Sequence, residues 1–411
     1  MSSTKARIVL IVTSILAIVV VAILLVRVRH PMAVASIAPY TGTPAASLPL
    51  GTRRPNIPPP KVGNTSTVQV CGYGQLPIEG DDTSAIFQQV GALTKGASTR
   101  WMAALQNSGD LRARVAGLLL EGKVTGGDSL RPVAEQTRNE VVQLAAGSVD
   151  PAVYGMALSM CETSAGTDMD SACRQLTLRR WAQIDPDNAV PWLLLAGAAR
   201  ARHDSVAEAD AFTHAATAHR VDSYSDSVFA FAEPELPHDV TPLERSYLAT
   251  EVIGVESGIR LPQYSAVSRH CSSSAMQDGA VRQQCDLIAE LLVTQGTNFL
   301  DLGLGRSIGE RVGWSSERVN QLARERDALT RALMQVSASD NDSSWTCSAV
   351  GRMNAYVQQR VRLGELGAAR DALERSGETV EALAHKYAQY EENIRSNALR
   401  QAQEMPPDNT Q

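Results

Sequence analysis

Between Thr83 and Ser396 apolar residues recur three and four positions apart in runs of 10–20 residues. That is the spacing of amphipathic helices. Gly, Asp-Pro, Asn or Ser-Gly interrupts the runs where helices end. Strand-like alternation is confined to Val68–Tyr73 (VQVCGY), which predicts a short strand or an extended lead-in. The pattern therefore predicts an all-α body.

The sharpest pattern lies at residues 150–219. Val153, Met156, Ala157 and Met160 stand at i, i+3, i+4 and i+7, and so do Trp192, Leu195, Ala196 and Ala199. Each set occupies one helix face. A second helix is predicted over Cys173–Ile184, after a long connection at 162–170. Asp185-Pro186-Asp187-Asn188 then closes that helix and supplies caps for the next. His203-Asp204 makes a turn, and the helix Val206–His219 carries Ala209, Phe212 and Ala216 inward.

A large residue, then Leu-Ala at close-packing positions, a short turn, an Ala/Phe helix and an Asp-Pro-Asp-Asn closure resemble a pair of tetratricopeptide repeats. Looser echoes are Met353, Tyr356 and Val357 before the turn Gly364-Glu365-Leu366, with Ala369 and Leu373 after it. Another is Trp101, Met102 and Leu105 before Gly109-Asp110. The chain departs from the family at Ala199, where Tyr is missing, and at the long 162–170 connection. The period of about 34 residues is not sustained through 220–345. The resemblance implies repeat-like helical hairpins, in an α-α superhelix or an irregular helical array, that present a concave surface to a protein or peptide. Trp192, Leu195 and Phe212 are the first candidate interaction surface.

Ahead of the body, Ile8–Val26 (IVLIVTSILAIVVVAILLV) has 19 residues and no charge. At ~1.5 Å per residue it spans roughly 28 Å, the thickness of bilayer hydrocarbon. Basic residues flank it, and it is longer than the apolar core of a signal peptide. Arg27, Arg29 and His30 separate it from the small-residue site Ala33-Val34-Ala35, so an uncleaved anchor with a cytoplasmic N-terminus is expected. Residues 31–66 contain eight of the 19 prolines and read as a disordered, Pro-rich linker. The expected organisation is 1–30 tail and transmembrane helix, 31–66 linker, 67–400 helical periplasmic body, and 401–411 disordered tail.

Charge follows the same division. Residues 1–66 hold seven basic groups and no acid, whereas the remainder holds the other 31 basic groups and all 44 acids, −13. Five Lys against 33 Arg suggests a bacterial, GC-rich source. An acidic body without a basic-aromatic stripe disfavours nucleic acid as a partner. Aromatics at 5% disfavour sandwiches and barrels.

The six cysteines, an even number behind an export signal, predict disulfides. Cys161 with Cys173 would staple the long connection, a closure worth roughly 3 kcal/mol in the chain-entropy model. Cys271 with Cys285 has similar spacing, and if both of these bonds form, Cys71 and Cys347 remain. No Cys-x-x-Cys, P-loop, Gly-x-Ser-x-Gly or His-Glu-x-x-His occurs. Gly303, Gly305 and Gly309 have one residue too many for a dinucleotide fingerprint and read as small residues permitting a turn or close helix packing. His203, His214 and His219, the acids Glu79, Asp81 and Asp82, and the runs Arg324–Arg326 and Arg360–Arg362 read as solvated or capping positions. No catalytic, cofactor or metal site is therefore expected. The expected function is protein interaction or scaffolding at the bacterial inner membrane. The alternative is a divergent envelope enzyme whose site no local spacing reveals.

Overall fold

The computed structural model divides the chain into two compact units, Met1–Lys61 and Val62–Gln411. The residues described are 65–79, 83–124, 135–162, 172–257, 259, 264–337 and 345–404, all in the second unit. The expected membrane helix from Ile8 to Val26 lies outside the described residues, as does all of 31–66 except Thr65 and Ser66. Among the described residues no helix is long and apolar enough to cross a membrane.

A hairpin opens the unit. Strand β1 (Thr65–Val70) pairs antiparallel with β2 (Gly74–Glu79), with Val70 opposite Gly74. The turn Cys71-Gly72-Tyr73 is tight because Gly72 and Gly74 take φ of 82° and 76°. The strand expected over Val68–Tyr73 begins earlier and stops at Val70, its last three residues forming the turn, and the second strand was not foreseen because Gly74 and Pro77 lower its strand propensity.

The remaining regular elements are helical. They begin with α1 (Thr83–Asn107), α2 (Leu111–Val124), α3 (Glu135–Ala146), α4 (Pro151–Glu162) and α5 (Leu178–Ile184). Next come α6 (Ala189–Ala201), α7 (Ser205–Thr217), α8 (Val228–Ala232), α9 (Pro242–Glu256) and α10 (Ser265–His270). The last are α11 (Gly279–Gln295), α12 (Phe299–Val312), α13 (Ser316–Ser337), α14 (Cys347–Ser376) and α15 (Val380–Glu404). Polar side chains start many of them. Thr177, Asn188, Asp204, Asp278, Asn298 and Thr346 each accept a hydrogen bond from a first-turn amide. Thr241 and Glu244 form a reciprocal capping box at α9.

From α1 to α7 successive helices pack pairwise, as hairpins do. The chain then turns back. Helix α8 packs on α2, and α9 packs on α1 and on the much later α14. Helix α10 lies on α6, α11 on α7, and α13 contacts both α14 and α15. The fold is all-α apart from the hairpin.

Helix α4 is more enclosed than a one-face pattern implies. Ala152 to Leu158 and Met160 are all buried, and Gly155 among them is pressed against the Trp181 ring: a Cβ there would stand 2.5 Å from it. The element expected over Cys173–Ile184 is broken. Cys173–Gln175 forms one 3₁₀ turn, and α5 begins at Leu178 once Thr177 caps it and its amide donates to the Tyr154 hydroxyl at 2.9 Å.

The 189–217 hairpin exists, with its faces rotated from expectation. Buried positions on α6 are Val190, Leu193, Ala196 and Ala199. Trp192 is drawn to the rim, where its indole N–H donates to the Pro186 carbonyl at 2.9 Å. On α7 the inward residues are Ala211, Phe212 and Ala215, whereas Ala209 is exposed. Of the small residues of α12, Gly305 is a close helix contact, since a Cβ there would stand 2.9 Å from the Ala289 carbonyl of α11; Gly309 lies against the Trp314 ring, and Gly303 has nothing within 4 Å.

Helix α14 is continuous except at Gly364, whose φ 70° and ψ −178° suit glycine alone. This is the predicted Gly364-Glu365-Leu366 turn, drawn out into a kink. Gly364→Ala, which forces that backbone and sets a Cβ 3.2 Å from Thr297 Cβ, is expected to lose about 1–3 kcal/mol of stability in urea unfolding. Gly351→Ala, in the same helix with nothing within 4 Å of the new Cβ, should instead hold or gain up to about 1 kcal/mol.

Candidate functional site

The Asp-Pro-Asp-Asn closure does more than end a helix. Asn188 is fully buried and caps α6 through its Oδ1. That oxygen also accepts the Asp222 amide at 3.0 Å, and its Nδ2 donates to the Asp222 carbonyl and to Asp185 Oδ2, each at 2.8 Å. Asp185, 3% exposed, also accepts from the Tyr224 hydroxyl at 3.1 Å and pairs with Arg220. Asp185 and Asn188 thus hold the 220–224 part of a 219–224 strap by their side chains. His219 and Arg220 complete it by donating their amides to the Asp187 carbonyl.

Beyond the strap three helical starts converge. At α8, the Phe229 amide donates to Glu256 Oε1 at 3.0 Å. Where α14 restarts after Gly364, the Glu365 amide donates to Asp226 Oδ2 at 3.2 Å and the Leu366 amide to the Thr297 carbonyl at 2.9 Å. At α12, Asn298 accepts from the Asp301 amide, Asp301 Oδ2 accepts from the Thr297 amide, and Glu365 reaches the Phe299 amide at 3.4 Å. First-turn amides lack intrahelical partners and carry partial positive charge, so carboxylates suit them. Glu256 Oε2 also meets Arg360 at 2.5 Å, an ion pair 2% and 11% exposed.

Five acids, Asp222, Asp226, Glu256, Asp301 and Glu365, therefore interact electrostatically around few cations. Burial pushes the Asp222 carboxyl up to about 6. It pushes Asp301 up to about 7, against the pull of neighbouring hydrogen bonds. Burial also raises Glu256 to about 7, with Arg360 opposing, and raises Glu365. Tyr264, buried, lies beside Asp301 without closing a hydrogen bond of normal geometry, and burial raises its phenol well above its usual range. A cavity of about 10 Å³ lies against Asp226, Phe229 and Arg360, room for about one water. Chemically the cluster can hold and release protons near neutrality.

None of these acids was singled out from sequence, yet periodicity carried the signal. Ala249, Val252 and Glu256 share a face of α9. Met353, Tyr356, Val357 and Arg360 share a face of α14, so Arg360 is the continuation of an apolar stripe and not the solvated position expected of it.

The sequence-selected residues fare unevenly. All six cysteines are bonded: Cys71–Cys347, Cys161–Cys173 and Cys271–Cys285, with Cα separations of 4.6, 5.6 and 5.7 Å. Phe212 is no surface residue. It is fully buried and stacks on His270 with ring centroids 3.8 Å apart, because the hydrophobic face of α7 is turned onto α11. Trp192 and Leu195 stay half-exposed at the rim, the former stacked on His214 at 4.1 Å. His203 occupies a left-handed turn with φ 59°, while His214 and His219 each lie 3.8 Å from an Asp. Among the described residues no group of His, Cys, Asp or Glu is arranged to hold a metal ion.

The raised carboxyls set a pH dependence. Asp301 keeps its proton in the fold to about pH 7 but loses it near 4 when unfolded. Its contribution is whole below about pH 4 and fades as pH rises to 7, so stability falls over that window. Asp301→Asn should flatten this slope in urea unfolding series from pH 5 to 8; an unchanged slope refutes the assignment. Arg360→Met strands Glu256 and should cost about 3–5 kcal/mol at pH 8, and clearly less at pH 5, where Glu256 is protonated. No protein-family model, curated protein or solved structure matches this chain.

Proposed function

We propose that this is a single-pass bacterial inner-membrane protein whose repeat-like helical body acts in the periplasm as a protein-interaction or scaffolding module. The observation that carries the reading is the pairing of all six cysteines. Such bonds persist in oxidising compartments. In this chain they sit in an acidic helical body that follows a 19-residue apolar run and a Pro-rich segment. Pairwise helix packing through α7 supports the hairpin element of the proposal. The half-buried rim at Trp192 and Leu195 is the surface assigned to the partner.

A second reading, a divergent envelope enzyme, draws on one specific feature. The carboxyls of Glu256 and Asp301 are held near neutrality by burial, as proton-transfer groups often are. It requires substrate to reach a cluster that is now enclosed.

A photo-crosslinking residue at Leu195 in cells should give one reproducible protein adduct. The same residue at Val149, 76% exposed, should not give it. Equal adducts at both positions, or none at Leu195, would overturn the interaction reading. Loss of the cellular phenotype in Asp301→Asn with the Leu195 adduct intact would favour the enzyme.

A further inference from the structure

The three disulfides differ in accessibility. Cys161, Cys173, Cys271 and Cys285 are buried, the last two completely. Cys347 is exposed and Cys71 half-buried. A thiolate has to approach a sulfur from solvent before exchange can occur, and Cys347, the most exposed residue of the six, belongs to the one bond with no buried cysteine.

The reduced state is also favoured locally. Cys347 is the first residue of α14, a helix of 30 residues, with Thr346 as its cap. Unpaired amides and the helix dipole stabilise a thiolate there. A disulfide whose reduced form is stabilised is the more oxidising and the more easily reduced. Cys161, by contrast, lies in the last turn of α4 and Cys285 in the interior of α11.

What the bond holds is separable. Besides the disulfide, the hairpin meets the C-terminal helices through the Cys71 amide, which donates to the Trp345 carbonyl at 2.8 Å. A small apolar cluster surrounds it: Val70, Val90, Leu243, Tyr247, Trp345 and Val350, distinct from the main core. Phe87 joins it, 5.0 Å from the Tyr247 ring and 6.0 Å from Trp345. Residues 71 and 347 are 276 positions apart, so the bond is the covalent link between the two ends of the body.

We infer that Cys71–Cys347 is a reducible latch and the substrate of a dithiol–disulfide exchange protein, which frees the β1–β2 hairpin from α14 while the helical body stays folded. The partner's thiolate attacks Cys347 Sγ and the Cys71–Cys347 S–S bond breaks. Cys71 leaves as a thiolate and takes a proton from solvent. The partner's second thiolate attacks the mixed disulfide, and Cys347 leaves and is protonated. The partner's two thiols are oxidised to one disulfide, and this chain's disulfide is reduced to two thiols.

The test uses the full-length chain, purified without reductant. It is exposed under native conditions to a dithiol protein of the thioredoxin type, then alkylated and mapped. Cys71 and Cys347 should be labelled at least roughly tenfold faster than the other four cysteines. Hydrogen exchange should rise at residues 65–79 and stay unchanged in α4 and α11. Reduction of all three bonds at one rate, or labelling of Cys161 and Cys173 first, would overturn the proposal. A second arm uses Cys71→Ser/Cys347→Ser. It should keep the helical circular dichroism and show the exchange pattern of the reduced wild type without added reductant. If its hairpin stays as protected as in the oxidised wild type, the bond is not a latch. If the variant loses its helical signal, the bond belongs to the global fold and the proposal fails.

Discussion

A carboxylate taken out of water needs hydrogen-bond donors around it, and the way this protein supplies them governs how its helices meet. Glu256, Asp226 and Glu365 each accept from an opening amide of a helix, or of a helix restarted at a kink, and Asp301 accepts from the Thr297 amide just ahead of the cap of its own helix. The same bonds satisfy amides that would otherwise be buried without partners. Glu256 and Glu365 sit on one helix and serve the start of another, Asp226 serves α14 from the turn ahead of α8, and Asp301 serves the approach to its own helix. The junction therefore fixes α8, α9, α12 and α14 relative to one another by directional bonds, where apolar contact alone would allow sliding. Arg360 is the cation of its central ion pair, and Gly364 is the hinge that lets one continuous helix supply both Arg360 and the amide of Glu365.

The strap at Asp185 and Asn188 works by the same logic at smaller scale. Every polar atom named there has a partner, and a fully satisfied buried network specifies one arrangement more sharply than an apolar contact does. The strap delivers the chain from α7 to Asp222 and Asp226, so the local closure and the long-range junction form one connected system. Helices α1 to α7 follow one another as neighbours, and the return of α8 and α9 depends on that delivery.

Local features were legible in the sequence, and what depended on distant partners was not. The hairpin of α6 and α7, the cap at Asn188, the turn at His203 and the break at Gly364 follow from spacing and from residues with strong backbone preferences. The two short-range disulfides followed from their spacing beside predicted helices, and the third by remainder. Phe212 shows the limit: periodicity placed it on the inward face of its helix, but could not say that α11 covers that face, so it also stood as a surface candidate. Glu256 and Arg360 show the converse. Each continues an apolar stripe, and reading a charge in such a stripe as buried requires knowing that its counterpart, 104 residues away, arrives at the same place. The acids of the junction had no motif because four different elements contribute them.

The nesting of the disulfides bears on the order in which the chain can be made. A ribosome delivers Cys71 first and Cys347 last. Between them, Cys161 with Cys173 and Cys271 with Cys285 appear as close neighbours, 12 and 14 residues apart. Pairing each cysteine with the next to emerge would join Cys71 to Cys161 and Cys173 to Cys271, and neither bond belongs to the native set. Cys71 must stay unpaired, or be exchanged out of a wrong partner, through the synthesis of almost the whole body. Native pairing thus depends on Cys71 remaining open to exchange until Cys347 has emerged, a demand that a protein with only its two local bonds would not make.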